Sequence, residues 1–388
     1  MGIYKFFSYL KTRELVVLYD KSRNKKNHIF FIDGTNIFRF YCQFPQKGKN
    51  SFCCVRDLIT RFIPAGFAYI AMDGKSPEQK ILNQRRKSAQ AQDLSVGGQL
   101  RAEEESHGQS FADFGVEIGC DTRCDGRDSE GEAEHKIVRR IREQISSGEL
   151  QKGEKHCVVS NDNDVIFLLL QFADYDFSVV RVVADEETNL PAFYIVDIQK
   201  VRDYFMGRVH RNCGRNDFSV ERATSDVIAL SFFLGNDFVG CFSEIEKCHD
   251  AFDGIVGSCC QMNSSRSCPY RHLTDGSSFV DANLKTFFAY LVARLKGCQQ
   301  QQQQVHRDSL RQCQKKSFYK KKTVDNRNVK PNFNCIQRDE ARDMIKALRW
   351  TLSYYLYEIP SWKYQYLALK MITLSDFWLL IDVAVSMK

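Results

Sequence analysis

Nowhere in this sequence does an apolar run reach the length needed to cross a bilayer. The most apolar candidate, the tail DFWLLIDVAVSM, is short and carries Asp376 and Asp382, so no membrane-spanning helix is expected. The first residues, MGIYKFFSYLKTREL, lack the uninterrupted apolar core of a secretion signal, because Lys5 breaks it. Gly2 lacks the Ser or Thr that N-myristoylation needs, since Phe6 stands at that position. A paired CxxC ladder is also missing, although the chain holds fifteen cysteines. The expectation is a soluble, cytoplasmic protein, with a nuclear location left open, whose thiols are reduced and mostly buried. Cys120 and Cys124 in CDTRC, and the group Cys241, Cys248, His249, Cys259, Cys260 and Cys268, leave zinc as an open but unfavoured reading.

Apolar material is not scarce. At 43% hydrophobic over 388 residues, the chain can bury a full core, which argues against global disorder. The formal charge is +7, with 48 carboxylates against 55 basic side chains. That balance permits a nucleic-acid partner without demanding one, and lets a basic surface coexist with an acidic pocket.

Three apolar runs share one plan. NHIFFIDGTNIFRF reaches Asp33, GFAYIAMDGKSP reaches Asp73, and KHCVVSNDND reaches Asp162 and Asp164. Short apolar runs that stop at an acidic residue read as buried parallel strands. Helical patterns lie between them: Ile137, Ile141 and Ile145 recur at spacing four. The alternation predicts an α/β fold with a mainly parallel central sheet flanked by helices. All three acidic strand ends then point to one rim, where such sheets bind ligands. ATSDVIALSFFLGNDFVG reads as a helix broken at Gly235 that delivers Asp237 to a loop. From Cys241 to Asn334 the character changes. Gly, Ser and Cys are frequent, and Gln299 to Gln304 precede the basic KKSFYKKK, so an exposed, partly flexible insertion is expected. Phe318 and Tyr319 interleave those lysines, which makes a nucleic-acid contact as plausible there as a solvated face. RDEARDMIKALRWTLSYYLYEIPSW restores helical spacing through Met344, Leu348 and Leu352 and meets Pro360.

The acidic residues at strand ends and in loops are Asp33, Asp73, Glu132, Glu134, Asp162, Asp164 and Asp237. Seven converging carboxylates do not all stay ionised without cations. Two divalent ions ~3.5–4 Å apart, each taking oxygen ligands, resolve the repulsion. Asp162 and Asp164, two apart, would share one face of a strand end. Acidic residues also favour helix N-termini for the dipole alone, so a single DxD or ExE is weak; the convergence of seven is the stronger sign. Within DSEGEAEHKI, Glu132 and Glu134 are the expected ligands, and Asp128 and Glu130 are expected on an exposed loop. Just after Asp73, Lys80, Gln84 and Lys87 in KSPEQKILNQRRKSAQ fall on one helical face. Spacing alone favours an ordinary solvated basic helix there.

The ordered blocks MGIYKFF, FFIDGTNIFRF, MDGKSPEQKILNQRR, EGEAEHKI, HCVVSNDNDVIFLLL, FFLGNDF and LRWTLSYYLYEIPSW resemble the Xrn-type 5′→3′ exoribonuclease family. GEAEHKI and FLGNDF together are the most specific. The wider clan includes flap endonucleases and PIN domains. The resemblance implies a PIN/flap-nuclease-like core with an α-helical C-terminal region, in a minimal form without the family's long C-terminal extension. It implies hydrolysis of single-stranded 5′-monophosphorylated RNA to mononucleotides with two Mg²⁺ ions, Mn²⁺ being an alternative. The metal-binding and catalytic residues it implies are the same seven carboxylates. The 5′-phosphate pocket falls on Lys80, Gln84 and Lys87, with Ser88 where the family is basic and Arg86 placed to compensate. Base stacking falls near Arg39 and Phe40, and on Trp362, with Tyr364 beside it. The organisation expected is a nuclease domain over residues 1–240, a variable Cys-rich and Gln/Lys-rich insertion over 241–334, and a helical region over 335–388 packing on the nuclease core. A monomer is expected, with no membrane partner and no protein partner specified. Two other readings stay open: a structure-specific flap-type DNA nuclease, and a catalytically inactive RNA-binding protein on the same fold.

Overall fold

The structure is a computed structural model that describes residues 6–19, 27–43, 51–62, 64–82, 121–126, 129–185, 187–188, 190–211, 218–246, 248, 250–264, 270–296, 335–357, 359–365 and 373–386. The chain divides into two compact units. The first comprises Met1–Gly207, Asn236–Phe238 and Ser353–Gln365, and is built on a seven-stranded sheet in the order β1-β7-β6-β5-β2-β3-β4. The strands are β1 (Val16–Leu18), β2 (Asn27–Asp33), β3 (Pro64–Ala71), β4 (Asp121–Asp125), β5 (Lys155–Val159), β6 (Asp176–Ala184) and β7 (Pro191–Asp197). Strands β6, β5, β2, β3 and β4 are mutually parallel; β7 pairs antiparallel with β6, and β1 antiparallel with β7.

The expected parallel sheet is present, and burial on both faces explains its sequence. Ile29, Phe30, Phe31 and Ile32 are all buried in succession on β2, as are Cys157, Val158 and Val159 on β5. Strands covered on both faces keep no polar side, so the apolar run is continuous. Strand order then fixes where function can sit. The chain runs from β2 outward to β3 and β4, and returns to place β5 on the other side of β2. The carboxyl ends of β2 and β5 therefore flank the point where the winding reverses, the crevice in which open α/β sheets hold ligands.

The second unit comprises Arg208–Gly235, Val239–Leu352 and Tyr366–Lys388, and its described part is mainly helical: Val220–Ser231, Ala251–Met262, residues 281–296, most of Cys335–Leu356, and Leu374–Ser386. Phe233, Phe242, Phe287, Phe288 and Phe377 pack ring against ring. Asp226 is buried here and accepts hydrogen bonds from the Thr274 amide at 2.8 Å and the Thr274 hydroxyl at 2.9 Å, with His272 Nδ1 at 2.9 Å. Met344, Leu348 and Leu352 are fully buried on one stripe, as their spacing predicts. Their helix ends at Leu356, four residues before the proline expected to stop it.

Cys54, Cys157, Cys259 and Cys260 are buried. Burial pushes the Cys157 thiol far up, so it stays protonated. The side chains of Cys120 and Cys124, along with His249, Cys268, Gln299 to Gln304 and the lysine cluster after them, lie outside the described residues.

Gly235 ends the run Phe232–Leu234 at φ +82° and ψ 143°, a conformation that side chains other than glycine's rarely adopt. A Cβ there would stand 2.9 Å from the Cys241 backbone nitrogen. Gly235→Ala should therefore cost roughly 2–3 kcal/mol and lower the thermal midpoint by several degrees. A melt within a degree of the parent's would contradict this.

Candidate active site

Three of the seven carboxylates sit where a strand end meets the start of a helix, and each takes a backbone N–H there. Asp33 closes β2, and its Oδ1 accepts from the Asn36 amide at 3.0 Å, at the head of Gly34–Gln43. The Asp73 Oδ1 accepts from the Ala133 amide at 2.9 Å, the first residue of Ala133–Ser147. The Asp162 Oδ1 accepts from the Asp164 amide at 3.1 Å, which opens Asp164–Leu170. Unpaired amides and the aligned peptide dipoles favour negative charge at such ends. Capping and convergence are thus one arrangement: three helix starts face the same acidic centre.

The strand-face geometry expected of Asp162 and Asp164 is not what brings them together. Strand β5 stops at Val159. Asp162 lies in the turn that follows, and Asp164 is already helical. The turn is held from outside by Arg181, whose guanidinium donates to the Asn163 side chain and the Asn161 carbonyl. The Asn161 side chain accepts from the Val182 amide at 2.8 Å. Ser160 links the two strand ends by donating to Asp33 Oδ2 at 2.8 Å and accepting from the Asp162 amide at 3.0 Å.

Glu132 and Glu134 are both buried at the start of Ala133–Ser147. Their position is fixed by two backbone bonds between neighbouring loops: the Gly74 amide to the Gly131 carbonyl at 2.9 Å, and the Gly131 amide to the Lys75 carbonyl at 3.0 Å. Fully buried Lys136 fastens the preceding turn through the Gly126 carbonyl at 2.7 Å and Asp125 at 3.1 Å. Glu130, as expected, is exposed and lies 3.8 Å from Lys75. Asp128 is outside the described residues.

Lys80 stands at the centre. Its Nζ lies 2.7 Å from Glu132 Oε1, 3.6 Å from Glu134 and 3.7 Å from Asp237. Burial alone would lower the ammonium's pKa, but Glu132, Glu134, Asp237 and Asp73 hold it well above the ordinary lysine range. The carboxylates respond in the opposite sense. Burial, then Asp73, push the Asp33 carboxyl up to about 7. Burial, then Asp162 and Asp237, push Asp164 up to about 8. Burial raises Glu134 well above its usual range despite Lys80. Each of the seven acidic residues thus stands in this set of mutually acting charges. Among the described residues no three Asp, Glu, His or Cys side chains form a ready metal cage; the acidic groups close on an ammonium instead. The donors are all carboxylate oxygens around a point positive charge, the set a hard divalent cation takes.

The other expected residues divide. Gln84, Arg86, Lys87 and Ser88 lie outside the described residues. Arg39 is exposed on Gly34–Gln43, but Phe40 is buried in the core with its ring edge-on to Tyr41. Packing therefore withdraws Phe40 as a stacking surface, because its helix turns that side toward the sheet. Trp362 is half-buried, and its carbonyl accepts from the Glu78 amide at 3.0 Å, two residues from Lys80. It lines a groove of about 780 Å³ with Arg139, Tyr357 and His135.

Two tyrosines were not foreseen. Tyr354 donates to Glu132 Oε2 at 2.7 Å, and the Tyr355 hydroxyl is directed at Asp164. The sequence signal was the adjacent pair at the end of a helical pattern, but 222 residues separate Tyr354 from its acceptor.

Residues 119–183 match the family model described as XRN 5′-3′ exonuclease N-terminus. The chain is 24% identical over 299 residues to 5′-3′ exoribonuclease 1 of Schizosaccharomyces pombe, covering 62% of this chain and 22% of that protein. To 5′-3′ exoribonuclease 1 of Homo sapiens it is 24% identical over 240 residues, covering 50% and 14%. To 5′-3′ exoribonuclease 2 of Yarrowia lipolytica it is 33% identical over 116 residues, covering 28% and 12%. The chain thus matches less than a quarter of the length of each of these relatives. Among solved structures, the catalytic core of Rad2 in complex with DNA substrate is similar at a TM-score of 0.40 and 12% identity, covering 66% of this chain and 68% of that one.

Proposed function

We propose that this chain is an Xrn-type 5′-3′ exonuclease, a reading that its likeness to that family model and to those relatives supports, and that it hydrolyses single-stranded RNA from a 5′-monophosphate end, releasing mononucleotides. The observation that carries this reading is Lys80 set among Glu132, Glu134 and Asp237. A phosphate-binding cation and the acidic centre are within one side chain of each other, so a bound terminal phosphate would lie beside the bond to be cut.

The acidic residues fit Mg²⁺ or Mn²⁺, and two such ions would activate the attacking water and stabilise the leaving oxygen. The seven carboxylates would hold them, with Asp33, Asp73 and Asp162 oriented by their helix-start amides. Withdrawn from the acidic centre, Lys80 would present its ammonium to the 5′-phosphate, with Gln84, Lys87 and Arg86 completing the pocket. Arg39 and Trp362 would stack the first bases; the bond from the Glu78 amide to the Trp362 carbonyl keeps that residue's backbone beside the segment that carries Lys80. One copy supplies Lys80 and the seven carboxylates of the proposed site, which supports action as a monomer. A reducing, cytoplasmic setting suits the buried thiols of Cys54, Cys157, Cys259 and Cys260.

The test is competition between RNAs ending in 5′-monophosphate, 5′-hydroxyl and 5′-triphosphate, with matched DNA, in Mg²⁺. Wild type should consume monophosphate RNA first, with 5′-end label released before 3′-end label. Lys80→Ala should slow decay of that RNA by roughly tenfold to a hundredfold, the loss of charge-assisted bonds to phosphate, and slow 5′-hydroxyl RNA far less. Equal decay of all ends, or earlier release of 3′ label, overturns the assignment.

A further inference from the structure

The two oxygens of Glu132 have different partners. Oε2 receives the Tyr354 hydroxyl at 2.7 Å, and Oε1 faces the Lys80 ammonium at 2.7 Å. We infer that Tyr354 is a positioning residue that reserves one oxygen of Glu132 for the phenol and presents the other to the catalytic cation. This rests on the metal-dependent nuclease reading above.

The phenol is built to hold that position. Tyr354 is fully buried. The His135 ring packs on it with centroids 3.7 Å apart, and the Phe238 ring meets it edge-on at 4.8 Å. The backbone is held as well. Tyr354 lies in the last turn of helix Cys335–Leu356, whose final carbonyls, left over by the intrahelical ladder, are met by two side chains. Gln171 Nε2 donates to the Tyr355 carbonyl at 3.1 Å, and Arg142 donates to the Leu356 carbonyl at 2.8 Å. Arg142 also donates to Gln171 Oε1 at 2.8 Å, which joins the two clasps. The cationic guanidinium complements the negative end of the helix dipole. Gln171 follows Asp164–Leu170 and Arg142 lies on Ala133–Ser147, so the two helices that carry Asp164 and the glutamates also clamp the tyrosines.

A carboxylate with one oxygen tied to a phenol meets a cation through the other, in one orientation. Without the phenol, Glu132 can rotate about its last bond. Groups that orient metal ligands in this way typically change affinity or activity 10- to 100-fold when removed. The test is Tyr354→Phe, which keeps the ring and removes only the hydroxyl. Mn²⁺ binding is read by calorimetry without RNA, and turnover on 5′-monophosphate RNA is split into kcat and KM. The expected result is Mn²⁺ affinity weakened about tenfold or more, kcat lowered, KM for RNA unchanged, and higher Mn²⁺ restoring part of the rate. A variant that melts earlier but binds Mn²⁺ within twofold of wild type overturns the inference, because a merely structural tyrosine gives that pattern. Gln171→Leu keeps the phenol and loosens its backbone; it should weaken Mn²⁺ in the same direction, and it decides the matter if the phenylalanine variant does not fold. Wild type that binds no Mn²⁺ overturns the metal reading itself, a separate outcome.

Discussion

Asp162→Asn should all but abolish cleavage and leave the fold intact. The side chain is buried, its Oδ1 receives the Asp164 amide, and its own amide donates to Ser160. Asparagine has the same shape, and its amide oxygen can keep the cap on Asp164–Leu170. Arg181 fixes the flanking asparagines independently of residue 162. What the substitution removes is charge. Burial pushes the Asp162 carboxyl up, but nearby positive charge, Lys80 included, and the Asp164 amide together outweigh it and hold the group below the usual aspartate range. Asp162 is therefore ionised at neutral pH, whereas Asp33 at about 7 and Asp164 at about 8 are near their own midpoints. Losing this ionised charge in the proposed site should lower kcat by at least about a hundredfold, on the order of 3 kcal/mol, as for other groups that stabilise charge in a transition state. Asp162 also raises both Asp33 and Asp164, so relief of those two groups offsets the loss of Asp162's own favourable charge, and the metal-free variant should melt within a few degrees of the parent's temperature. Turnover at saturating Mg²⁺ and a thermal melt check the two halves. Near-normal turnover in a folded variant removes Asp162 from the site.

The parallel sheet was legible because burial on two faces imprints continuous apolar runs, and β2 and β5 carry them. The acidic rim was legible for a related reason: Asp33, Asp73 and Asp162 stand just past strands of one direction, and parallel strands end on one side. The strand order was not legible. Nothing local to KHCVVSNDND says that β5 returns beside β2 rather than continuing past β4, yet that return puts Asp162 next to Asp33. Periodicity also missed what holds the site. Tyr354 and Tyr355 lie within a stretch read as an amphipathic helix, and nothing in the helical spacing singles out Arg142. Their roles depend on contacts across about two hundred residues, which spacing does not encode. Phe40 shows the converse: an aromatic beside a predicted site, spent on the core.

Stability of the metal-free protein should fall as pH rises from about 4 to about 8, and Mg²⁺ should remove most of that dependence. The sign follows from the buried carboxyls. An aspartate in the unfolded chain loses its proton near pH 3.9. In the folded chain burial and mutual repulsion keep Asp33 protonated up to about 7 and Asp164 up to about 8. Between those limits the folded state binds more protons than the unfolded state, so unfolding releases them and becomes easier as pH increases. The stabilisation is complete below the unfolded value and is lost as pH passes the folded values. Each such gap is worth on the order of 4 kcal/mol, but the two groups share neighbours, so the pair together should contribute several kcal/mol rather than the full sum. Asp162 opposes the trend, since its folded value is depressed, but its part is confined to the acid end of the range. Thermal melts in chelator from pH 5 to 9 should show a falling midpoint that levels off above about 8. A divalent cation bound to the ionised carboxylates of the folded state stabilises it most where those groups are charged, so the gain from millimolar Mg²⁺ should be largest at the alkaline end. A midpoint that rises with pH in chelator, or a Mg²⁺ gain greater at pH 5 than at pH 8, would show that these carboxyls are not held protonated by one another.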